Sequence, residues 1–479
     1  MPQTSNPIYP QALRLERSDR SAFRWVLLTG LLAAGWAILF SSSPWPFLAV
    51  TTVSLTCVLI LYAAHRVVPA LRSPHNFALL LWMLLVAQRA FIPRVEPLVG
   101  EKLEWGPIVI AEVSLTISVF ISCLALFLPR FRRNRRGGAP ITVKLIFLYV
   151  TVAALSLTYT PKPMYAGFWL LRLLSAVLLL DVYFDSVNDS QVARFAGCTC
   201  LAAIPYMLFP WIELIALKSV EGHRPSGLYV QTSLGSAIGY IMVIFCLFSW
   251  LENRRSIAPL GLGLLGLSSA YLAGGKAAAA AMATVLLFVF IANRHKILSA
   301  RGVAAILLAC VVLALLAVSG GVGLLAHSQE YSGENFVTMT DRFELWRAAI
   351  SMWSNAPILG YGFTFAGIGI TPPHGSITYV TNNSYLQALL EVGLLGSLPL
   401  FFAIGIVLFR TLRLGVRAFR LKPLAPIAAA WCLLLLCSVS EVVFGCPLQP
   451  VAYLFFGFLV CADVLTQRDR PVTRGVDLV

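Results

Sequence analysis

Residues 385–422 read YLQALLEVGLLGSLPLFFAIGIVLFRTLRLGVRAFRLK. From Val392 to Phe409 the stretch carries no charge, and roughly 20 apolar residues are what a helix needs to cross the hydrocarbon core of a bilayer. Arg410, Arg413, Arg417, Arg420 and Lys422 follow at once. Basic clusters stay on the cytoplasmic side of a membrane, so this span is expected to run from outside to inside.

Working outward, the same pattern fills the chain. Of 479 residues, 58% are hydrophobic and 12% charged, with a mean hydropathy of +0.81, whereas soluble domains run at about 45–50% apolar and about 25% charged. Apolar runs fall near 23–40, 46–64, 76–92, 107–128, 141–159, 166–184, 193–217, 233–251, 258–274, 277–293, 303–326, 385–408, 423–440 and 450–465, separated by Pro, Gly or charge clusters. The expected fold is all-α: a polytopic helical membrane protein of about 12–14 transmembrane helices, with one long periplasmic loop that contains an amphipathic helix. A large extramembrane catalytic domain is excluded.

The 36 Lys+Arg against 21 Asp+Glu leave a formal charge of +15, which in this context speaks to sidedness and not to nucleic acid. If the N-terminus is cytoplasmic, alternation puts 128–138, 252–256, 293–296, 410–422 and the QRDR tail on one side. Both termini are then cytoplasmic. Polar residues including Arg14, Arg17 and Arg20 precede the first apolar run, so no cleavable signal peptide is expected there. The expected organisation is a cytoplasmic tail over 1–22, a transmembrane bundle over 23–326, a long periplasmic loop over 327–384, C-terminal transmembrane helices over 385–465 and a cytoplasmic tail over 466–479. The ten cysteines lie in apolar runs except Cys446, so no disulfide framework is expected. Cys198 and Cys200 form a CxC without a second ligand pair, so no metal site is assigned.

The long loop is where aqueous chemistry can reside. It is too rich in Trp, Phe, Tyr and Ile for disorder. Asp341, with Glu344 three residues on, resembles a capping box, and Phe343, Trp346, Ile350 and Trp353 form an apolar stripe at helical spacing that ends at Asn355-Ala356-Pro357. One reading is a helix lying on the bilayer surface. The other makes that helix part of a site, with Arg342 in its first turn.

The segments DRFELWRAAISMWSNAPILGYGF (341–363) and NNSYLQALLEVGLLGSLPLF (382–401) resemble the signature of the O-antigen ligase and polymerase family, over a domain of about 200–410. Members are membrane enzymes that move a glycan from a polyprenyl diphosphate carrier to an acceptor on the periplasmic side. Pro357, Gly360, Gly362, Asn383, Tyr385, Leu386, Gly393 and Gly396 match the pattern, and Arg224, Gly227 and Tyr229 of GHRPSGLY fit a second element. In a third element Lys276 of GGKAAAA stands where the family has Arg. The largest departure is Asn382, which occupies the place of the family's His. An amide cannot be a general base, although it can hydrogen-bond a hydroxyl or a phosphate oxygen. His374 in TPPHGS is the alternative imidazole, against the plainer reading of a solvated loop histidine. Glu391 reads more readily as a helix-surface or structural carboxylate than as a base.

The resemblance implies catalytic roles for Arg224, Arg342 and Asn382 and substrate binding by Lys276, Asn383, Tyr385 and Trp346; to these the sequence adds His374 as a candidate catalytic imidazole and Arg172 as a candidate binding residue. Fixed cations suit a diphosphate leaving group, whose charge grows as the glycosidic bond breaks. The plain alternative for each cation is anchoring at the lipid headgroups. Arg172 lies inside an apolar run, where an ionisable group is costly; Glu112 and Glu213 are the intramembrane acids that could pair with it. No cofactor and no metal is expected, since no nucleotide-binding or metal motif appears. The implied partners are a polyprenyl diphosphate-linked glycan donor, a glycan or lipid A-core acceptor, membrane lipids, a flippase and a chain-length regulator, with no nucleic acid. The implied place is the bacterial inner membrane. Polymerase, ligase, flippase or transporter, and inactive homologue all remain open on the sequence, with polymerase slightly ahead of ligase because the His is missing.

Overall fold

A chain surrounded by lipid must satisfy each backbone N–H and C=O internally, and helices do this within one segment. The computed structural model describes residues 46–91, 107–132, 139–185, 187–208, 211, 232–252, 258–273, 275–297, 340–364, 370, 381–420, 423–444 and 450–468. Its elements are helical throughout. In chain order they are α1 (Pro46–Val67), α2 (Pro74–Phe91), α3 (Pro107–Arg132), α4 (Ile141–Leu155), α5 (Pro163–Tyr183), α6 (Asp189–Ala202), α7 (Thr232–Glu252), α8 (Ala258–Ala273), α9 (Lys276–Ile297), α10 (Thr340–Ser354), α11 (Ser384–Leu414), α12 (Leu424–Cys437) and α13 (Pro450–Arg468). Among the described residues seven helices, α1, α3, α4, α5, α9, α11 and α13, are long and apolar enough to cross a membrane, and α2, α7, α8 and α12 carry shorter apolar stretches. The protein is a polytopic all-helical membrane protein. The expected runs at 23–40 and 303–326 lie outside the described residues.

The bundle is organised around α13, which is buried along almost its whole length and packs against α2, α4, α5, α6, α7, α11 and α12. Small residues permit the closest approaches. A Cβ on Gly457 of α13 would come within 2.9 Å of the Trp82 ring. In the α7–α8 pair a Cβ on Gly239 would stand 2.3 Å from the Gly266 carbonyl oxygen, and Ser236 Oγ donates to the Ala270 carbonyl at 2.9 Å.

Charges inside the bundle are paired. The Arg172 guanidinium, fully buried, bonds Glu112 and the Tyr453 hydroxyl, and lies 5.0 Å from the centre of the Trp169 ring. This is the pairing reading of Arg172; Glu213 lies outside the described residues. At one end of the bundle Asp463 takes hydrogen bonds from Arg410 and from Thr142 Oγ1. There too, Arg468 pairs with Asp189, and Asn293 donates to the Phe419 carbonyl.

Helix α4 runs from Thr142 at that basic end to Ser156 at the other. At the far end four segments meet: the turn after α4 (156–162), the stretch after α10 (355–364), the start of α11 (381–385) and the turn after α12 (438–444). The arginines that end α11 thus lie opposite the site elements, the arrangement that the positive-inside rule orients with the site end outward. A cysteine placed at exposed Ser351 should react with an impermeant maleimide in spheroplasts, and one at exposed Arg417 only after the membrane is opened. Labelling of both from the same side would reject this orientation.

Candidate functional site

Helix α10 carries the apolar stripe Phe343, Trp346, Ile350 and Trp353 beside a second apolar face. Phe343 and Ile350 are 56% and 49% exposed, and the face turned to the protein carries Leu345 and Ala349, which pack with Leu390 and Ile370. Both faces are apolar at helical spacing, so periodicity alone did not choose between them. The helix starts at Thr340, one residue before the expected cap at Asp341. Trp346 lies between the two faces, and its Nε1 donates to the Thr381 carbonyl at 3.1 Å.

Helix α11 is broken in its third turn. Gly393 has φ 62 and ψ −170, a conformation essentially reserved for glycine. The groups that the break frees are taken up by the stretch after α10, which acts as a strap. Tyr361 N donates to the Leu390 carbonyl at 2.8 Å, Leu394 N to the Pro357 carbonyl at 2.8 Å and Leu395 N to the Ile358 carbonyl at 3.1 Å. Contact is so close that a Cβ on Gly393 would stand 2.2 Å from the Ile358 oxygen, and one on Gly360 2.5 Å from the Gly393 nitrogen. Gly362 is pressed in the same way on Thr160, at 2.6 Å. Phe363 N also donates to the Ser156 hydroxyl oxygen at 2.8 Å. The Pro-x-x-Gly-x-Gly and Gly-x-x-Gly spacings therefore have a shared structural cause: strap and break are two halves of one joint.

Asn383 caps α11. Its Oδ1 accepts from Tyr385 N and Leu386 N, both at 3.0 Å, while Nδ2 donates to the Val439 carbonyl at 2.9 Å. Tyr385 accepts a hydrogen bond from Ser438 Oγ at 3.1 Å and meets Phe444 edge to face at 5.4 Å. Both side chains, expected at the substrate, make contacts that hold α11 to the turn after α12. Asn382 is half-buried with φ 50. Asn and His are among the residues that best tolerate this left-handed region, so the exchange of one for the other leaves the backbone at ease.

Arg342, in the first turn of α10, is pinned. Its Nη1 donates to the Ser440 carbonyl at 2.8 Å, and its Nη2 meets Glu441 Oε1 at 2.9 Å. Below this, Thr381 N donates to Gln387 Oε1 at 3.2 Å, and Gln387 Nε2 donates to Glu391 Oε1 at 2.9 Å. Glu391 is fully buried, as a structural carboxylate would be. Lys276 opens α9, whose far end meets Phe419 at the basic end, so Lys276 begins its helix at the site end. Arg224 and His374 lie outside the described residues, as does Cys446. Arg172 lies within the bundle and is spent on Glu112 and Tyr453.

The structure thus brings together Arg342, Trp346, Asn382, Asn383 and Tyr385. Sequence reasoning missed Glu441 and Ser440, which close the same site from the α12 side, and Ser384, which bonds to that turn from the start of α11. The available signal was an acid at the end of an apolar run with no basic residue near it in sequence. Among the described residues no three His, Cys, Asp or Glu side chains form a metal-binding cluster.

Ala at Gly393 or Gly360 should force the joint apart, at a cost of about 3 kcal/mol or more, whereas Gly405→Ala on the same helix, where a Cβ meets nothing within 4 Å, should be silent. Thermal unfolding of the purified variants followed by light scattering checks this. Equal melting temperatures for all three would contradict the joint.

Residues 261–401 match the family model described as O-antigen ligase, a match that lies inside the expected 200–410 and excludes both Arg224 and the turn after α12. No curated protein matches the chain significantly. The matched segment, similar to the O-antigen ligase family over residues 261–401, contains Arg342, the strap and the start of α11.

Proposed function

We propose that the protein transfers or polymerises a polyprenyl-diphosphate-linked glycan at the periplasmic face of the bacterial inner membrane, in O-antigen, exopolysaccharide or capsule synthesis. The observation that carries this is the pinned guanidinium of Arg342. A headgroup anchor would sit loose at the interface, whereas this one is held by two acceptors between α10, the start of α11 and the turn after α12, with its side chain still 31% exposed.

The chemistry is a single displacement. An acceptor hydroxyl attacks the anomeric carbon, the C1–O bond to polyprenyl diphosphate breaks, and the electron pair leaves with the diphosphate, so the anomeric configuration inverts. Arg342, Arg224 and Lys276 meet the charge that gathers on the leaving group. In a low-dielectric site fixed cations act without reorganising, and Arg can grip phosphate in a bidentate way that Lys cannot. Asn382 hydrogen-bonds the sugar or the phosphate. The acceptor proton goes to His374 or to solvent. Arg172 supports the bundle through its pair with Glu112. Polymerase is favoured over ligation to lipid A-core because the family's His is absent; a flippase and a chain-length regulator are the expected partners in the pathway.

Arg342→Ala and Arg224→Ala should each abolish glycan transfer at near-normal membrane abundance, and Arg342→Lys should retain part of it. The surface-glycan ladder of a complemented deletion strain reads this: loss of a polymerase leaves single repeats, and loss of a ligase leaves carrier-bound polymer. Full activity in an alanine variant would remove that residue from the site. Asn382→His should fold as well as the parent and raise turnover if a base limits the reaction. His374→Ala should cost about 10²-fold or more if the imidazole is that base. A silent His374→Ala combined with a faster Asn382→His would reject His374 as the base, and the chain would then be one that works without one.

A further inference from the structure

Glu441 has no part in the reaction as drawn, yet it is a buried carboxylate in direct contact with Arg342. Its side chain is 3% exposed against 31% for Arg342. It sits in the turn Ser438–Phe444, outside the matched 261–401 segment, and its neighbours Val442, Val443 and Phe444 are buried apolar residues. That turn is stapled to the start of α11. Ser384 N donates to the Ser438 carbonyl at 2.9 Å, Ser384 Oγ to the Glu441 carbonyl at 2.9 Å, and Val443 N to Ser384 Oγ at 2.8 Å.

We propose that Glu441 is the positioning residue of Arg342. Its carboxylate and the adjacent Ser440 carbonyl fix two of the three guanidinium nitrogens. A guanidinium offers five N–H donors, so two contacts leave others for a phosphate oxygen. Because the turn that bears Glu441 is locked to α11, the arginine of α10 is registered against the Asn382–Tyr385 segment through its own head group. The seat of α10 does not rest on this pair alone, since Leu345, Ala349 and the Trp346 bond also hold it. What the pair supplies is orientation, and a charge that must meet an anion works best when its rotamer is set beforehand. The inference rests on the reading above only for what the oriented charge acts on.

The test uses the full-length protein in detergent, with Glu441→Gln as the isosteric variant beside Glu441→Ala and Glu441→Asp. Phenylglyoxal labelling, read by mass spectrometry on the Arg342 peptide, reports how firmly the guanidinium is held, whatever the reaction. Labelling should rise about tenfold in the Gln and Ala variants, the factor that corresponds to one lost charge-assisted hydrogen bond, and less in Asp. With lipid-linked glycan extracted from a deletion strain as donor, kcat should fall about 10²-fold in Glu441→Gln with a smaller change in KM. Glu441→Asp should recover part of the loss, and the Arg342→Ala, Glu441→Ala double variant should be no slower than Arg342→Ala alone. Unchanged labelling in Glu441→Gln, or losses that multiply in the double variant, would overturn the proposal. If labelling responds while the wild type transfers no lipid-linked glycan, the function proposed above falls and the hold of Glu441 on Arg342 stands.

Discussion

Lipid offers no hydrogen bonds, and the site depends on how the chain meets that constraint at Gly393. Breaking a helix near the membrane is tolerated where other protein groups adopt the freed amides and carbonyls. Here the strap from Pro357 to Tyr361 does so bond for bond, with Leu394 N, Leu395 N and the Leu390 carbonyl all finding partners in it. The strap in turn is the direct continuation of α10. The position of Arg342 therefore follows from a backbone repair some fifteen residues away in sequence, and α10 cannot move without reopening the break.

From that joint the site assembles by short-range logic. Asn383 uses both ends of its amide, capping α11 with its oxygen and holding Val439 with its nitrogen. Ser384 both donates to and accepts from the turn after α12. The residues best matched to the family pattern are thus largely architectural. Arg342 and Asn382 lie partly exposed at the same edge, and the proposed function assigns the substrate to them.

Much of the fold was legible because apolar length is a one-dimensional signal. The run expected at 141–159 ends within a residue of the turn after α4, and those at 107–128, 233–251, 258–274 and 450–465 begin within a residue of their helices. Arg342 and the glycines of the strap were also legible, through the resemblance. The inward face of α10 was not, since Phe343 and Ile350 are as apolar as Leu345 and Ala349, and only the position of Leu390 decides between them. Glu441 was invisible for another reason. Its partner lies 99 positions away in the chain, and no local pattern encodes a contact between a helix and so distant a turn.

The central place of α13 has a consequence for how the protein is made. Synthesis proceeds from the N-terminus, so α1 to α12 enter the membrane before the helix that they surround. Until α13 arrives, Thr142 and Arg410 lack Asp463, and Arg172 lacks the Tyr453 hydroxyl. The helix at the centre of the bundle is thus among the last to be made, and quality control in the cell meets a half-made protein whose buried polar groups have yet to find these partners.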